Sequence, residues 1–584
     1  MKKLSRIIMH SRYGWLIGLV LVALLNIAGS VFHARFDLTK EKRYTLSAST
    51  TELLKGLDDE MNVQVFLKGD FNAGFKKLAT TVDEFLQILK DRNSSHFTYS
   101  FISPLDELPG THTKYADSLI SLGATPINLT VQVKAGQEQR MIYPVAIISY
   151  KGKSKLVNIY PGSNRFISQV EINNAEAMLE FQFLKSMDEL VEPKKAIVGY
   201  ATGNGEPIDF HVFDLQQTIR EKFDLYQFNL ETQKAIPPEF NAFIIVKPTL
   251  RFSDEEKLKI DQYLMRGGHV MIFMDRLYAE NDSLRSKEFV AYDRDLNLTD
   301  LIFQYGARVN PDLIMDLQSD VLPVIVGGTP EAPQFEFMPW NYYPIFESQG
   351  SHLINKGLGP VSGHFANSVD TIKSEGIKKT VLLFTSPNSR TIATPAVISM
   401  NENRTTPEDA KFRKSEIPAA VLLEGGFNSF FKNRVSKASM DSLAAIGLPF
   451  KENSVPSSKL IVVGDGDVVL NDLTTGTAEP QPLSMGWNKF TYDAYQNDRE
   501  GSKYFIPFSN RSFLQNCLEY FTNKPGIIET GNKDIVLRLL DGKKVEGEKL
   551  RWQLVNTVVP ILLVILAGFI YQQTRKRKYA VSRN

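Results

Sequence analysis

Two long apolar runs bracket a region in which apolar positions recur at strand and helix periods. From Gly14 to Phe32 there is no charged side chain, and Asn26 and Ser30 are the only polar ones. From Leu554 to Tyr571 there is again no charge. About twenty mostly apolar residues suffice for a helix to cross the hydrocarbon core, so both runs are predicted membrane spans. Trp552 and Tyr571 flank the second run where aromatic side chains favour the interfaces, and Pro560 is tolerated inside such a span. The first run also admits reading as a cleaved signal peptide, with Ala28-Gly29-Ser30 as its cleavage site.

Between the runs the periods alternate. Ser47 or Ser49 is placed to cap a helix over Thr51 to Leu57. Val63–Leu67 reads as a strand, and Phe71–Lys90 as an amphipathic helix with Phe75, Leu78, Val82, Phe85 and Leu89 on one face. A strand near Phe97–Ile102 precedes three β-rich runs, Ile127–Val133, Met141–Ser149 and Lys155–Tyr160, the last two joined by a turn at Lys151-Gly152-Lys153. A helical pattern over Val170–Leu190 follows, and Pro193 marks a boundary. Next come a strand at Ala196–Tyr200, a helix through Ile219, and a strand at Ala242–Val246. The helix Asp254–Met265 is capped by Ser253 and closed by Gly267-Gly268, and His269–Met274 is a further strand. This rhythm predicts a doubly wound parallel sheet with helices on both faces. Runs near Leu322–Val326, Thr380–Phe384, Ala419–Leu423 and Leu460–Val463 either extend that sheet or close it around an insertion. The charged stretch Asn401–Lys414 reads as a surface loop.

The expected organisation is α/β and multi-domain. It comprises a tail (1–12), a membrane helix (13–32), a first α/β domain (33–192), a doubly wound domain with insertions (193–530), a juxtamembrane segment (531–553), a second membrane helix (554–571) and a tail (572–584). Two crossings put both termini on one side. The terminal clusters, Lys2, Lys3, Arg6 and Arg12 at one end and Arg575 to Lys578 at the other, hold no acids, which favours cytoplasmic termini. The inner flanks are basic too, so the charge rule alone decides little.

Composition narrows the function classes. The chain has 584 residues and a formal net charge of +1, with 43% hydrophobic and 23% charged residues. That is ordinary for globular protein and leaves no electrostatic footprint for nucleic acid. The single cysteine, Cys517, rules out an intrachain disulfide and falls in a helical pattern as a core residue.

Ligands of doubly wound sheets sit outside the carboxyl ends of the strands. The loops expected there supply the candidate residues: Gly203, Asn204, Gly205 and Glu206, then Lys247, then Asp275 and Arg276, then Asp465 and Asp467. The Gly-Asn-Gly-Glu turn suggests a phosphate cradle, but it lacks a third glycine and Pro207 follows, so a tight strand-to-helix turn is the better reading. The Gly464-Asp465-Gly466-Asp467 turn with Asn471 and Asp472 offers oxygen ligands but matches no EF-hand spacing, and reads as a solvated turn. Gly152-Lys153-Ser154 imitates the end of a P-loop without its first glycine. No zinc, serine-elbow or paired-histidine motif occurs. No catalytic residue, metal or cofactor is expected.

FDLTKEKRYTLSAST after the first apolar run, YATGNGEP, FSDEEKLKIDQYLMRGGHVMIFMD, VVGDGDVVLND, the helix Asn510–Asn523 and the C-terminal run occur in that order. Together they resemble the gliding-motility-associated ABC transporter auxiliary proteins (the GldG type) over nearly the whole chain. The resemblance implies a subunit in the inner membrane of a Bacteroidetes-type cell, with a large periplasmic region. Its implied partners are a separate ABC ATPase, a multi-span permease and the lipid bilayer, with an envelope protein as a further candidate. The middle domain would be similar to a glutamine-amidotransferase-like sheet without a working nucleophile. Asn204 stands where the family usually has histidine, which weakens any chemical role for that turn. Two alternatives remain open: an envelope hydrolase using Glu206, Asp275, Asp465 and Asp467, and a purely structural tether. Paired carboxylates about 5–9 Å apart would favour the first, and absence of a strand-end pocket the second.

Overall fold

The computed structural model describes residues 45–579, apart from 161–168, 281–287, 401–408, 498–506, 532–541 and a few shorter stretches, together with residues 20, 23 and 24. The expected span at 13–32 therefore lies outside the described residues except at those three positions, as do the tail 1–12 and most of the 401–414 loop.

The chain enters its folded part through α1 (Ala48–Lys55), where the Ser47 hydroxyl accepts the Thr50 amide, so Ser47 rather than Ser49 is the cap. Next come β1 (Met61–Val65), α2 (Ala73–Arg92) and β2 (Phe97–Phe101). β3 (Ile127–Val133) and β4 (Gly136–Ile142) pair with each other, followed by β5 (Val145–Tyr150), β6 (Lys153–Asn158) and α3 (Gln169–Val191). The sheet runs β2-β1-β5-β6, with α2 burying Phe75, Leu78, Val82, Leu86 and Leu89. The run expected as one strand over Met141–Ser149 is two, because Tyr143-Pro144 separates β4 from β5 and Pro cannot donate to a ladder.

α3 is apolar on two faces because it is covered on two sides. Leu179, Phe183, Met187 and Leu190 enter the core of the first sheet, whereas Met178, Phe181 and Leu184 enter the core of the next one. A helix hydrophobic nearly all round is a buried helix.

The central sheet uses β7 (Ile197–Thr202), α4 (Phe213–Lys222), β8 (Asp224–Asn229), β9 (Ala242–Val246), α5 (Asp254–Met265) and β10 (His269–Phe273). A long antiparallel ribbon of β11 (Ser319–Thr329) and β12 (Ala332–Phe346) belongs to an insertion. The sheet is completed by β13 (Ile377–Phe384), β14 (Pro418–Gly425) and β15 (Lys459–Val463), in the order β13-β14-β15-β10-β9-β7-β8. The five strands from β15 to β8 are parallel, whereas β14 runs against β15 and β13 against β14, so the sheet is mixed rather than wholly parallel. Leu322–Val326 lies in the ribbon and not in this sheet, while the other three late runs do join it.

Period-2 burial explains the two helical layers. Ala242, Ile244 and Val246 face one core with α4 and with α6 (Asn510–Thr522). Phe243 and Ile245 face the opposite core with α5. β10, β14 and β15 divide in the same way. Successive strand side chains point to opposite faces, so a sheet covered on both sides needs unbroken apolar strands. α5 starts in a capping box in which the Ser253 hydroxyl accepts the Glu256 amide and Glu256 accepts the Ser253 amide. α7 (Pro525–Gly531) adds Ile527 and Ile528 to the core.

Residues 535–584 form a separate unit, of which α8 (Gly542–Tyr579) is the described helix. Its stretch Arg551–Arg577 has a mean hydropathy of 2.4 over its most apolar window and no buried side chains, which suits a membrane span.

Candidate functional site

Parallel strands deliver their C-terminal ends to one edge of the sheet. β7 leads into Gly203, β9 into Lys247, β10 into Asp275 and β15 into Gly464-Asp465. The chain goes outward from β7 to β8, then to β9 on the other side, so β7 and β9 flank the point where strand order reverses. Crevices open at such points. A cavity of about 550 Å³ lies here, with Gly205, Pro207, Lys247, Thr249, His364 and Asp467 among its lining residues.

Lys247 is the centre of the site. Its backbone has φ 44°, and its amide donates to the Phe273 carbonyl at 2.7 Å, which turns the side chain across the strand ends. The ammonium lies 2.7 Å from both Asp467 oxygens, 3.1 Å from Asp275 Oδ2 and 3.1 Å from Glu280 Oε2. Asp275 Oδ1 also accepts the Gly466 amide at 2.6 Å, and Asp465 accepts the Asp467 and His364 amides at 2.8 and 2.7 Å. The turn that reads as solvated is instead buried: Asp465 is wholly enclosed, and Gly466 is packed so tightly that a Cβ there would stand 2.7 Å from Lys247 Cβ. The loop is drawn inward because Asp467 pairs with the Lys247 ammonium and Gly466 donates to Asp275.

Burial shapes the titration. It pushes the Asp275 carboxyl up to about 6, against the pull of Lys247, with Asp467 adding to the rise. Asp465 is raised well above the usual carboxylate range by burial and by its neighbours Asp467 and Asp275. Burial works against the Lys247 charge, yet Asp275, Asp467 and Glu280 together hold its pKa well above the ordinary value. Asp275, Asp465 and Asp467 each present an oxygen within 4.8 Å of the others, so they are the residues that would hold a cation. Lys247 already supplies a positive charge there.

The other candidate residues are placed differently. Asn204 uses its carbonyl to accept the Thr249 and Leu250 amides, which ties the β7 and β9 loops together. Its amide donates to Glu206, and its side chain donates to Glu256. Gly203 and Gly205 adopt φ 116° and 78°, conformations that favour glycine. These bonds describe a self-closed turn, and Glu206 belongs to it rather than to the acidic cluster. Arg276 turns away: its backbone amide donates to Asn367 Oδ1, and its guanidinium donates to the Val309 carbonyl and pairs with Asp293. Sequence reading missed Glu280 and its partner Arg294, 2.6 Å apart, because neither lies in a strand-end loop motif.

A family model described as an ABC-type uncharacterized transport system matches residues 195–500, slightly more than half of the chain and all of the cluster above. The chain belongs to this family. It is thus a component associated with an ABC transport complex, and its apolar C-terminal helix suits membrane association. Residues 40–149 match a domain of unknown function. An uncharacterized protein of Borreliella burgdorferi is 21% identical over 458 residues, covering 75% of this chain and 82% of the relative. Among solved structures, the mmIFT52 N-terminal domain is similar at 12% identity over 56% of this chain and 99% of its own, with a TM-score of 0.30. An exo-beta-1,4-mannosidase, Op5Man5 from an Opitutaceae bacterium, reaches a TM-score of 0.18 at 8% identity, over 73% of this chain and 51% of its own. Neither superposition is close enough to assign a fold.

Proposed function

We propose that this family member is a non-enzymatic, membrane-anchored subunit of an ABC transport complex of the gliding-motility type. On this reading both termini are cytoplasmic, the large α/β region with its amidotransferase-like sheet is periplasmic, and the spans contact a multi-span permease served by a separate ATPase. The strand-end cavity binds a substrate or an envelope partner.

The observation that carries this reading is the engagement of Lys247 by Asp467, Asp275 and Glu280 beside an open cavity. A paired-carboxylate hydrolase needs two acids about 5–9 Å apart, one free to protonate the leaving group and the other free to act as nucleophile or base. Here Asp275 and Asp467 share one ammonium, which favours a rigid binding wall over an acid–base pair. A purely structural tether, in turn, requires no cavity at the strand ends. Affinity purification of the tagged chain from its native membranes, followed by mass spectrometry, tests the assignment. An ABC ATPase and a permease should co-purify, and their consistent absence would remove the transport-subunit reading. Alkaline phosphatase fused after residue 534 should be active if the folded region is periplasmic.

A further inference from the structure

The wall of the strand-end cavity carries more acid than base. Asp209, Glu280, Asp467 and Asp472 line it against Lys247, Lys489 and two histidines, His211 and His364, and Asp209 lies 3.1 Å from the His211 Nδ1. Lys247 is already engaged by Asp467, Glu280 and the buried Asp275, and among the described residues Asp472 has no ion pair; it accepts the Lys489 backbone amide at 3.1 Å. A cleft with an excess of one sign and low-dielectric walls attracts the opposite charge.

The segments that line the cavity also carry exposed apolar residues. Pro207, Asp209 and His211 line the cavity, and the residues alternating with them, Ile208 and Phe210, are 67% and 63% exposed. Phe213 follows at 48% exposure, and Leu250, next to the lining residue Thr249, stands at 58%. Single exposed apolar residues are unremarkable, but several of them on the segments that line a charged pocket suit an interaction surface.

We infer that this cavity receives a lysine or arginine side chain from a partner protein, presented on a segment whose flanking apolar residues pack on Ile208, Phe210, Phe213 and Leu250. The inference rests on the reading of the cavity as a binding site and names the chemistry of what enters it. The basic side chain meets Asp472 and Asp209, while the Lys247 cluster behind them holds the wall rigid. An anionic ligand is disfavoured by the same charges.

The test uses the full chain in nanodiscs and two fluorescent hexapeptides, one alternating lysine with phenylalanine and leucine, the other with glutamate in place of lysine. The lysine peptide should bind and the glutamate peptide should not. Binding should weaken at least ten-fold in Asp209→Asn/Asp472→Asn, in which the amides keep the acceptor oxygens, and also in Phe210→Ser, whose ring is exposed. Equal binding of both peptides, or lysine-peptide binding unchanged in these variants, would overturn the inference. Binding of free cadaverine that equals the peptide's and ignores Phe210→Ser would reassign the pocket to a small amine and overturn it as well. Failure of the peptide to bind, while ATPase and permease still co-purify from native membranes, removes this inference alone. Loss of those subunits removes the transport-subunit reading instead.

Discussion

The ammonium of Lys247 lies 2.7 Å from both carboxylate oxygens of Asp467, although the two residues are 220 positions apart. That pair fastens the loop after β9 to the loop after β15 across the end of β10. Removing one partner of a buried ion pair leaves the other charge uncompensated, at a cost of about 3–5 kcal/mol. Lys247→Met should therefore lower unfolding stability by that order in chemical denaturation at pH 7. Without the ammonium the clustered acids hold their protons more tightly in the folded state than in the unfolded one. Their contribution to the deficit grows as pH rises above the ordinary carboxylate value, so the deficit should shrink between pH 7 and pH 5. A pH-independent deficit would show that the lysine acts by packing alone.

Gly466→Ala probes the same joint sterically. The new methyl would stand 2.7 and 2.8 Å from Lys247 Cβ and Cγ and 3.1 Å from its Cα, so side-chain motion alone cannot clear it. Overpacking of this kind costs about 1–3 kcal/mol. Thermal unfolding should shift down, and the lysine-peptide affinity should fall because the wall is displaced.

A second ion cluster joins α3, α4 and α6. Glu519 lies 2.5 Å from Lys185 and 2.7 Å from Lys222. Burial opposes its charge, but the two ammoniums prevail and hold its carboxyl down to about 2. Lys185, buried and beside Lys222, is itself pushed down to about 8 by burial. For Glu519 the folded pKa is depressed, so its stabilisation is complete above the unfolded value near 4.5 and is lost as pH falls toward 2. Wild type should exceed Glu519→Gln in stability by about 3 kcal/mol at neutral pH. The gap should close between pH 4.5 and pH 2 in denaturation curves.

Cys517 is enclosed in the α6 core and its thiol is raised well above the ordinary value by burial. It should not react with Ellman's reagent in the native protein and should titrate as one thiol in denaturant. Cys517→Ser places a hydroxyl among Phe513, Leu514 and Phe521 and should cost about 1–3 kcal/mol, the desolvation of an unpaired polar group.

Some elements are legible because their causes are local. Ser253, the acids of the first turn and Gly267-Gly268 bound α5 at its observed limits, Asp254–Met265. Lys151 and Gly152, both with positive φ, form the expected turn between β5 and β6. β8 was missed because only Phe228 of its six residues is buried, as an edge strand allows. β14 runs antiparallel because of what it pairs with, and nothing in its apolar sequence encodes that direction.

The sequence by itself determined most of the apolar strands, the Ser253 cap, the core position of Cys517, the helix that carries the C-terminal apolar run, and which loops follow the sheet's strands. Those follow from side-chain period and from hydrogen bonds within a few residues. Only the tertiary structure decided that Asp275 and Asp465 are buried with Asp467 half-buried beside them, that Glu280 joins them, that Arg276 and Glu206 do not, and that Lys247 stands at their centre. Those contacts link chain segments far apart in sequence. A charge taken from water must find its counter-charge wherever the folded chain brings one, and no local pattern records that meeting.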